Sequence, residues 1–261
     1  GVQHYYDNET DNYIQTHYQA LFTHQFSKVL YLNLAAHHTT GAGYYEQYRE
    51  SDELENYGIQ PGITNAPYYE LNGDTIFTPD GKIFISDLIR RKQLANTFSG
   101  LTWSLNYAKK KISSTLGGSY NTYEGNHFGT LIWSQFAGNS EINHEWYRNK
   151  SKKNDFNIFA KATYALTDGL NSWIDLQLRH ISYSLKGIDD DGRDISQNHN
   201  FTFFNPKAGI QYRINKNMSA YASLAIANRE PNRDNFVDAD LTKPAPKPET
   251  LYDFEAGYTT L

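Results

Sequence analysis

The 261-residue chain contains no cysteine, which removes disulfide frameworks, thiolate metal sites and cysteine nucleophiles together. No run of about 18 apolar residues occurs, so no transmembrane helix is expected, a test that spanning β-strands escape. An excess of positive charge is also missing. The 24 Lys and Arg against 29 Asp and Glu give a formal net charge of −5 and a pI of about 6.0, so no nucleic-acid partner is expected. The opening Gly1-Val2-Gln3-His4-Tyr5-Tyr6 has neither the basic nor the apolar region of an export signal. Apolar residues are sparse as well, at 39% with a mean hydropathy of −0.70. Aromatics are plentiful: 21 Tyr and 14 Phe lead a 15% share, which suits strands and membrane–water interfaces.

The commonest pattern is alternation with period two. In Trp173 to Arg179, Ile174, Leu176 and Leu178 take one face while Asp175, Gln177 and Arg179 take the other, an arrangement a helix would spread around its circumference. The same parity appears at Ile14 to Phe22, Leu30 to Leu34, Leu101 to Tyr107, Leu116 to Tyr120 and Ile158 to Tyr164. It returns at Ala208 to Ile214, Ala220 to Ile226 and Tyr252 to Tyr258, for about nine strands in all. Short polar turns at Ser27-Lys28, Lys109-Lys110, Thr167-Asp168-Gly169 and Asn215-Lys216-Asn217 alternate with long polar loops. The loops are expected at about residues 40–88, 124–154, 189–200 and 230–249.

Alternating short turns and long loops are the mark of an outer-membrane barrel, with tight periplasmic turns and extended extracellular loops. Phe22, Tyr107, Tyr164, Tyr212 and Tyr258 all stand on the apolar parity just before a short turn or its equivalent, where the periplasmic aromatic girdle belongs. A cation facing lipid at mid-membrane costs about 2–4 kcal/mol, so the parity carrying Lys161 and Arg179 is the lumen. His180, on the apolar parity, marks the upper rim of the lipid belt. Alternation alone also fits soluble sandwiches and lipocalin-like barrels.

Leu116-Gly117-Gly118-Ser119-Tyr120-Asn121-Thr122-Tyr123-Glu124-Gly125-Asn126-His127-Phe128-Gly129 resembles a barrel segment of TonB-dependent receptors of Bacteroidetes-type bacteria. So does Asn228-Arg229-Glu230-Pro231-Asn232-Arg233-Asp234-Asn235-Phe236, followed by Pro246-Lys247-Pro248-Glu249 and Asp253-Phe254-Glu255-Ala256-Gly257-Tyr258. Pro231, without an N–H, is expected to end its strand, Pro246 and Pro248 to stiffen the return, and Gly117 and Gly118 to make a bend or bulge. The resemblance implies an all-β, antiparallel up-and-down transmembrane β-barrel, partial here, because that family has a twenty-two-stranded barrel closed by an N-terminal plug. Residues 1–261 are then one partial barrel domain, with plug and last strands absent.

Chemistry-bearing clusters are few. Asp189, Asp190, Asp191 and Asp194 around Gly192 depart from the spacing of a calcium loop and lack its terminal Glu, so a solvated loop is expected and no metal site. His37 and His38 are adjacent, point to opposite faces of a strand and cannot chelate one ion. No catalytic constellation and no cofactor site is found. Loop aromatics and basics are the candidates for ligand contact: Tyr44, Tyr45, Tyr48 and Arg49 beyond Gly41 and Gly43, and Trp133, Trp146, Tyr147 and Arg148 in the next long loop region.

The resemblance implies a non-enzymatic receptor in the bacterial outer membrane that imports a scarce nutrient, such as an iron-siderophore or haem-like complex. Its partners are membrane lipid, the nutrient at the extracellular loops, and the energy-transducing TonB complex acting through the plug. A passive porin or adhesin barrel, or a soluble all-β carbohydrate-binding module, are the alternative readings. Open strand edges predict self-association of the isolated chain.

Overall fold

The computed structural model describes residues 9–239 and 243–260. In chain order the elements are β1 (Asp11–Ser27), β2 (Leu30–Glu53), four short strands β3 (Gly62–Ile63), β4 (Tyr68–Leu71), β5 (Asp74–Phe77) and β6 (Lys82–Ile83), then β7 (Ile85–Lys109), β8 (Ile112–Ser134), β9 (His144–Ala165), β10 (Leu170–Gly187), β11 (Gln197–Arg213), β12 (Met218–Arg229), α1 (Arg233–Val237) and β13 (Glu249–Thr260). Nine strands form a single antiparallel sheet in the order β1-β2-β7-β8-β9-β10-β11-β12-β13, each paired with its neighbours in sequence apart from the β3–β6 excursion. This is the up-and-down meander expected from the alternation, with β1 and β13 as open edges.

The four tight turns fall where the sequence places them, all at one end of the sheet. The opposite end differs from expectation. β2 runs to Glu53 and β7 starts at Ile85, while β8 and β9 continue to Ser134 and from His144. Much of residues 40–53, 85–88, 124–134 and 144–154 is therefore strand rather than loop. A tilted strand crosses the hydrocarbon in about 9–11 residues, so strands of 24, 25 and 23 residues (β2, β7, β8) stand well clear of it. Above the bilayer neither face meets lipid, so the hydrophobic alternation lapses and the sequence looks like loop.

Residues directly opposite across a ladder share a face. Ile158 pairs with Gly118 and Leu178, and Leu178 with Phe204, so one outer face runs through the sheet. It exposes Ile158, Ile174, Leu176, Leu178, Ile210 and Leu224, and the girdle residues Phe22, Tyr164, Tyr212 and Tyr258 lie on it near the tight turns. The other, inner face is tied by polar side chains: Thr23 to Asn33 at 3.0 Å, His37 to Asn121 at 3.1 Å, Asn157 to Ser119 at 2.5 Å and Asn205 to Gln177 at 3.0 Å. His38 instead faces outward, 2.7 Å from Ser99, so the two histidines do part. His180 bonds Thr202 at 2.9 Å on the outer face.

The dry cores lie in the crown of strand ends and loops, not in the membrane band. Leu54, Tyr57, Ile59, Leu88 and Leu131 form one, Tyr183, Leu185, Ile195, Phe236 and Val237 a second, and Tyr69, Leu71 and Ile83 a third. Gly117 and Gly118 make no bulge, since β8 keeps its register with both neighbours there. A Cβ on Gly117 would meet the Phe159 ring at 2.6 Å, so this glycine leaves room for an aromatic ring across the strand.

Proline governs the last loop. β12 ends at Arg229, before Pro231, and β13 begins at Glu249, after Pro248. β11 pairs with β12 only over Lys207 to Arg213, stopping next to Pro206, which has no N–H for a ladder. Beyond it side chains replace the backbone: Asn228 N–H donates to Asn205 Oδ1 at 3.0 Å, and Asn228 Nδ2 donates to the Phe204 carbonyl at 3.2 Å. The chain is thereby released from β11 and packs α1 against the inner-face residues Tyr183, Leu185 and Phe201.

Candidate ligand-binding wall

The upper inner face presents two adjoining cavities. After β2, residues 54–57 make a 3-10 turn closed by Gly58 in the left-handed region, at φ 67°. Leu54 and Tyr57 drop onto Leu88, Leu131 and Trp146, which fixes the turn against the wall. The Tyr57 hydroxyl donates to Asp52 Oδ2 at 2.7 Å and accepts from Arg90 Nη1 at 3.2 Å. Burial, and then the bond to Asp52, push this phenol up to about 12, so it remains a neutral donor. Arg49 pairs with Asp52 at 3.1 Å. Arg90 donates from Nε and Nη2 to Gln47 Oε1 at 3.1 and 2.9 Å, and no carboxylate of the described residues lies at ion-pair distance from it.

Trp146 stands edge-on to Tyr57 and Tyr147, at 5.1 and 5.0 Å between ring centroids, and its Nε1 donates to the Asp190 carbonyl at 3.3 Å. Arg49, Arg90, Tyr57 and Trp146 thus line a cavity of about 540 Å³ together with the carboxylates of Asp52, Glu55, Asp190 and Asp191. A neighbouring groove of about 560 Å³ is lined by Tyr13, Tyr45, Lys92, Leu94, His127 and Tyr147. The Lys92–Asp190 ion pair joins the two. Together they offer aromatic surface and a lining of mixed charge, in which Arg90 has no carboxylate at ion-pair distance among the described residues, a set suited to a polar, partly aromatic small molecule.

The acidic hairpin is consumed internally. Asp190 pairs with Lys92, Asp191 with Arg193 at 2.5 Å, and Asp189 with Arg233 at 3.4 Å, while Asp194 Oδ1 accepts the Ser196 N–H at 2.9 Å. Burial works to raise the Asp191 carboxyl, but the Arg193 amide and guanidinium hold it below its ordinary value.

Four of the eight candidate residues line these cavities from the inner face: Tyr45, Arg49, Trp146 and Tyr147. The other four are outward. Tyr44 borders the groove but lies under Arg91, at 4.4 Å; Tyr48 bonds Asp87; Trp133 is exposed beside Ile89; Arg148 lies over Phe128 at 4.2 Å and pairs with Glu145. None of the eight is in a loop: the first four belong to β2, Trp133 to β8 and the last three to β9. Tyr57, Arg90 and Lys92 carry no expectation from the sequence, while Asp190, weighed there only as part of a calcium loop, and His127 carry none as ligand contacts. Arg90-Arg91 carried the available signal, because adjacent strand residues place one cation on each face.

A family model described as "TonB dependent receptor-like, beta-barrel" matches residues 1–261. The chain belongs to that family. This TonB-dependent receptor barrel is an outer-membrane structure, and its wall superposes on solved relatives at low identity. The ferric-catecholate import receptor Fiu of E. coli K12, closed form, shares 12% identity at TM-score 0.66, covering 97% of this chain and 39% of its own. The copper transporter OprC shares 11% at 0.66, covering 95% and 36%. The ferric yersiniabactin uptake receptor FyuA of Yersinia pestis shares 8% at 0.55, covering 98% and 35%. The receptor chain therefore spans about two fifths of the length of these structures. No curated protein matches it by sequence.

Proposed function

We propose that residues 1–261 form one sector of a larger receptor barrel, whose whole imports a small nutrient complex with TonB-coupled energy. The single observation that carries this is the pair of inner-face cavities around Arg90, Tyr57, Trp146 and Tyr147 in a barrel of this family. A metal complex that carries charged and aromatic groups suits the mixed carboxylate and guanidinium lining and the surrounding aromatic edges. Ferric-siderophore and copper import by the solved relatives supports a metal complex as cargo. The eight residues first considered reduce to Tyr45, Arg49, Trp146 and Tyr147, joined by Arg90 and Tyr57.

The test is metal-complex uptake by cells carrying the full-length receptor. Arg90→Ala and Trp146→Ala should each lower uptake roughly tenfold, the size expected when a charge-assisted contact or an aromatic anchor is lost. Uptake that persists undiminished when TonB is disrupted would instead identify a passive pore.

A further inference from the structure

We propose that the outer face of the excursion between β2 and β7 is a docking surface for a basic protein, which inserts an arginine or lysine side chain into a pocket beside Phe84. The excursion carries two small ladders, and each buries one side. Gly62 faces Ile83 across β3–β6, while Tyr69 and Leu71 lie on the inner side of β4–β5, and Tyr69, Leu71 and Ile83 make the third core. The other side of each ladder meets water, where polar residues are the rule. It is apolar instead. Ile63, opposite Lys82, is 86% exposed; Phe77, opposite Tyr68, is 77% exposed; and Phe84 is exposed beside the first ladder. Two-stranded ladders are marginal by themselves, and uncovered apolar faces of this kind mark places where a partner docks.

Charge identifies the partner. Residues 49–84 hold seven Asp and Glu against two Lys and Arg, a net of −5, so this segment accounts for the net charge of the whole chain. Its two cations are already taken, Arg49 by Asp52 and Lys82 by Asp80. Among the described residues no cation lies at ion-pair distance from Glu53, Glu55 or Glu70. Glu70 belongs to the exposed face itself, beside Tyr68 and Phe77, with the Thr75 hydroxyl donating to its Oε1 at 2.8 Å. A phosphate-bearing bilayer surface is repelled by such a segment, and a second copy of it brings the same charge. A basic protein surface is attracted.

The pocket names the side chain that enters it. A cavity of about 320 Å³ is lined by Leu54, Ile59, Pro61, Phe84 and Ile85, and Glu53 and Glu55 complete it. Apolar walls suit the methylene stem of an arginine or lysine, and the two carboxylates suit its cationic head. Arginine fits best, since its planar fork can serve two acids and it is the charged residue most often found as an interface anchor.

The experiment uses the full-length receptor with Ile63→p-benzoylphenylalanine or Phe77→p-benzoylphenylalanine, irradiated on intact cells, with adducts identified by mass spectrometry. A single protein adduct is expected, joined through a segment that carries arginine or lysine. That protein, once purified, is titrated against the receptor in phosphatidylcholine nanodiscs. Glu53→Gln and Phe84→Ser should each weaken binding roughly tenfold, and raising salt from about 50 to about 500 mM should weaken the wild type. Ile63→Lys guards against misfolding, because a side chain this exposed contributes little to the fold, and it should weaken binding at least as much. An adduct to lipid A, to a second copy of the receptor or to an acidic protein overturns the proposal. The absence of any adduct, or equal binding by Glu53→Gln and the wild type, does so as well. Full competition by millimolar cadaverine also overturns it, by assigning the pocket to a free amine.

Discussion

Glu230 gathers two cations, Lys153 Nζ at 2.6 Å and Arg179 Nη1 at 3.0 Å, while Asp155 holds the same guanidinium at 2.6 Å. Burial works to raise the Glu230 carboxyl, but the Lys153 bond and both positive charges leave it below its ordinary value. A depressed carboxylate contributes stability that is present above its unfolded pKa, about 4.3, and is lost as pH falls through the folded value. Glu230→Gln should therefore cost roughly 1.5–3 kcal/mol at neutral pH, with the gap to wild type closing below about pH 4. Hydrogen exchange over residues 230–237 in the full-length receptor, followed against pH, reads this directly. A gap that stays constant to pH 3 would deny Glu230 its role. Gly209 makes a separate case at this scale: a Cβ there would meet Trp173 ring atoms at 2.7 Å. Gly209→Ala should cost about 1–3 kcal/mol, read as a lower urea midpoint.

At the scale of elements, α1 is too short to hold itself together and relies on its cap and its packing. Asn232 caps it, its Oδ1 accepting the Asn235 N–H at 2.8 Å, and the Asn235 side chain returns the bond at 3.0 Å. Phe236 is 1% exposed and stacks on His199 with 3.9 Å between centroids. Phe236→Ala should cost about 3–5 kcal/mol locally and strip exchange protection from residues 231–238, while the tight-turn ends of the strands keep theirs. Loss of protection throughout the barrel would mean that α1 belongs to the global core. The motif Asn228 to Phe236, which sequence marked by resemblance, acts here as an anchor. Glu230 and Arg233 fasten it by charge, Pro231 ends the strand and Phe236 fills the second core.

For the whole molecule, the division between lipid face and lumen face sets the energetics. Ala160 and Lys161 are neighbours on β9 with opposite directions, one among Ile158 and Leu176, the other on the polar side. Ala160→Arg should destabilise the full-length receptor by about 2–4 kcal/mol, whereas Lys161→Arg should change nothing measurable. Folded fraction by heat-modifiable electrophoretic mobility checks both. Equal behaviour of the two would reverse the assignment of faces.

Sequence by itself determined the strand count in the main sheet, the four tight turns, the lipid-facing parity and the girdle, because each is written in local period-two chemistry where lipid meets one face. The same rule that separated His37 from His38 also separates Tyr44 from Tyr45 and Tyr147 from Arg148, yet reading these as loop residues hid that consequence. Only the tertiary structure decided how far the strands rise above the membrane, because there both faces meet water or protein and alternation carries no signal. It also decided which side chains share a cavity. Arg90, Tyr57, Trp146 and Asp190 come from four segments well apart in the chain, and what joins them is the register of the sheet and the inward fold of its loops.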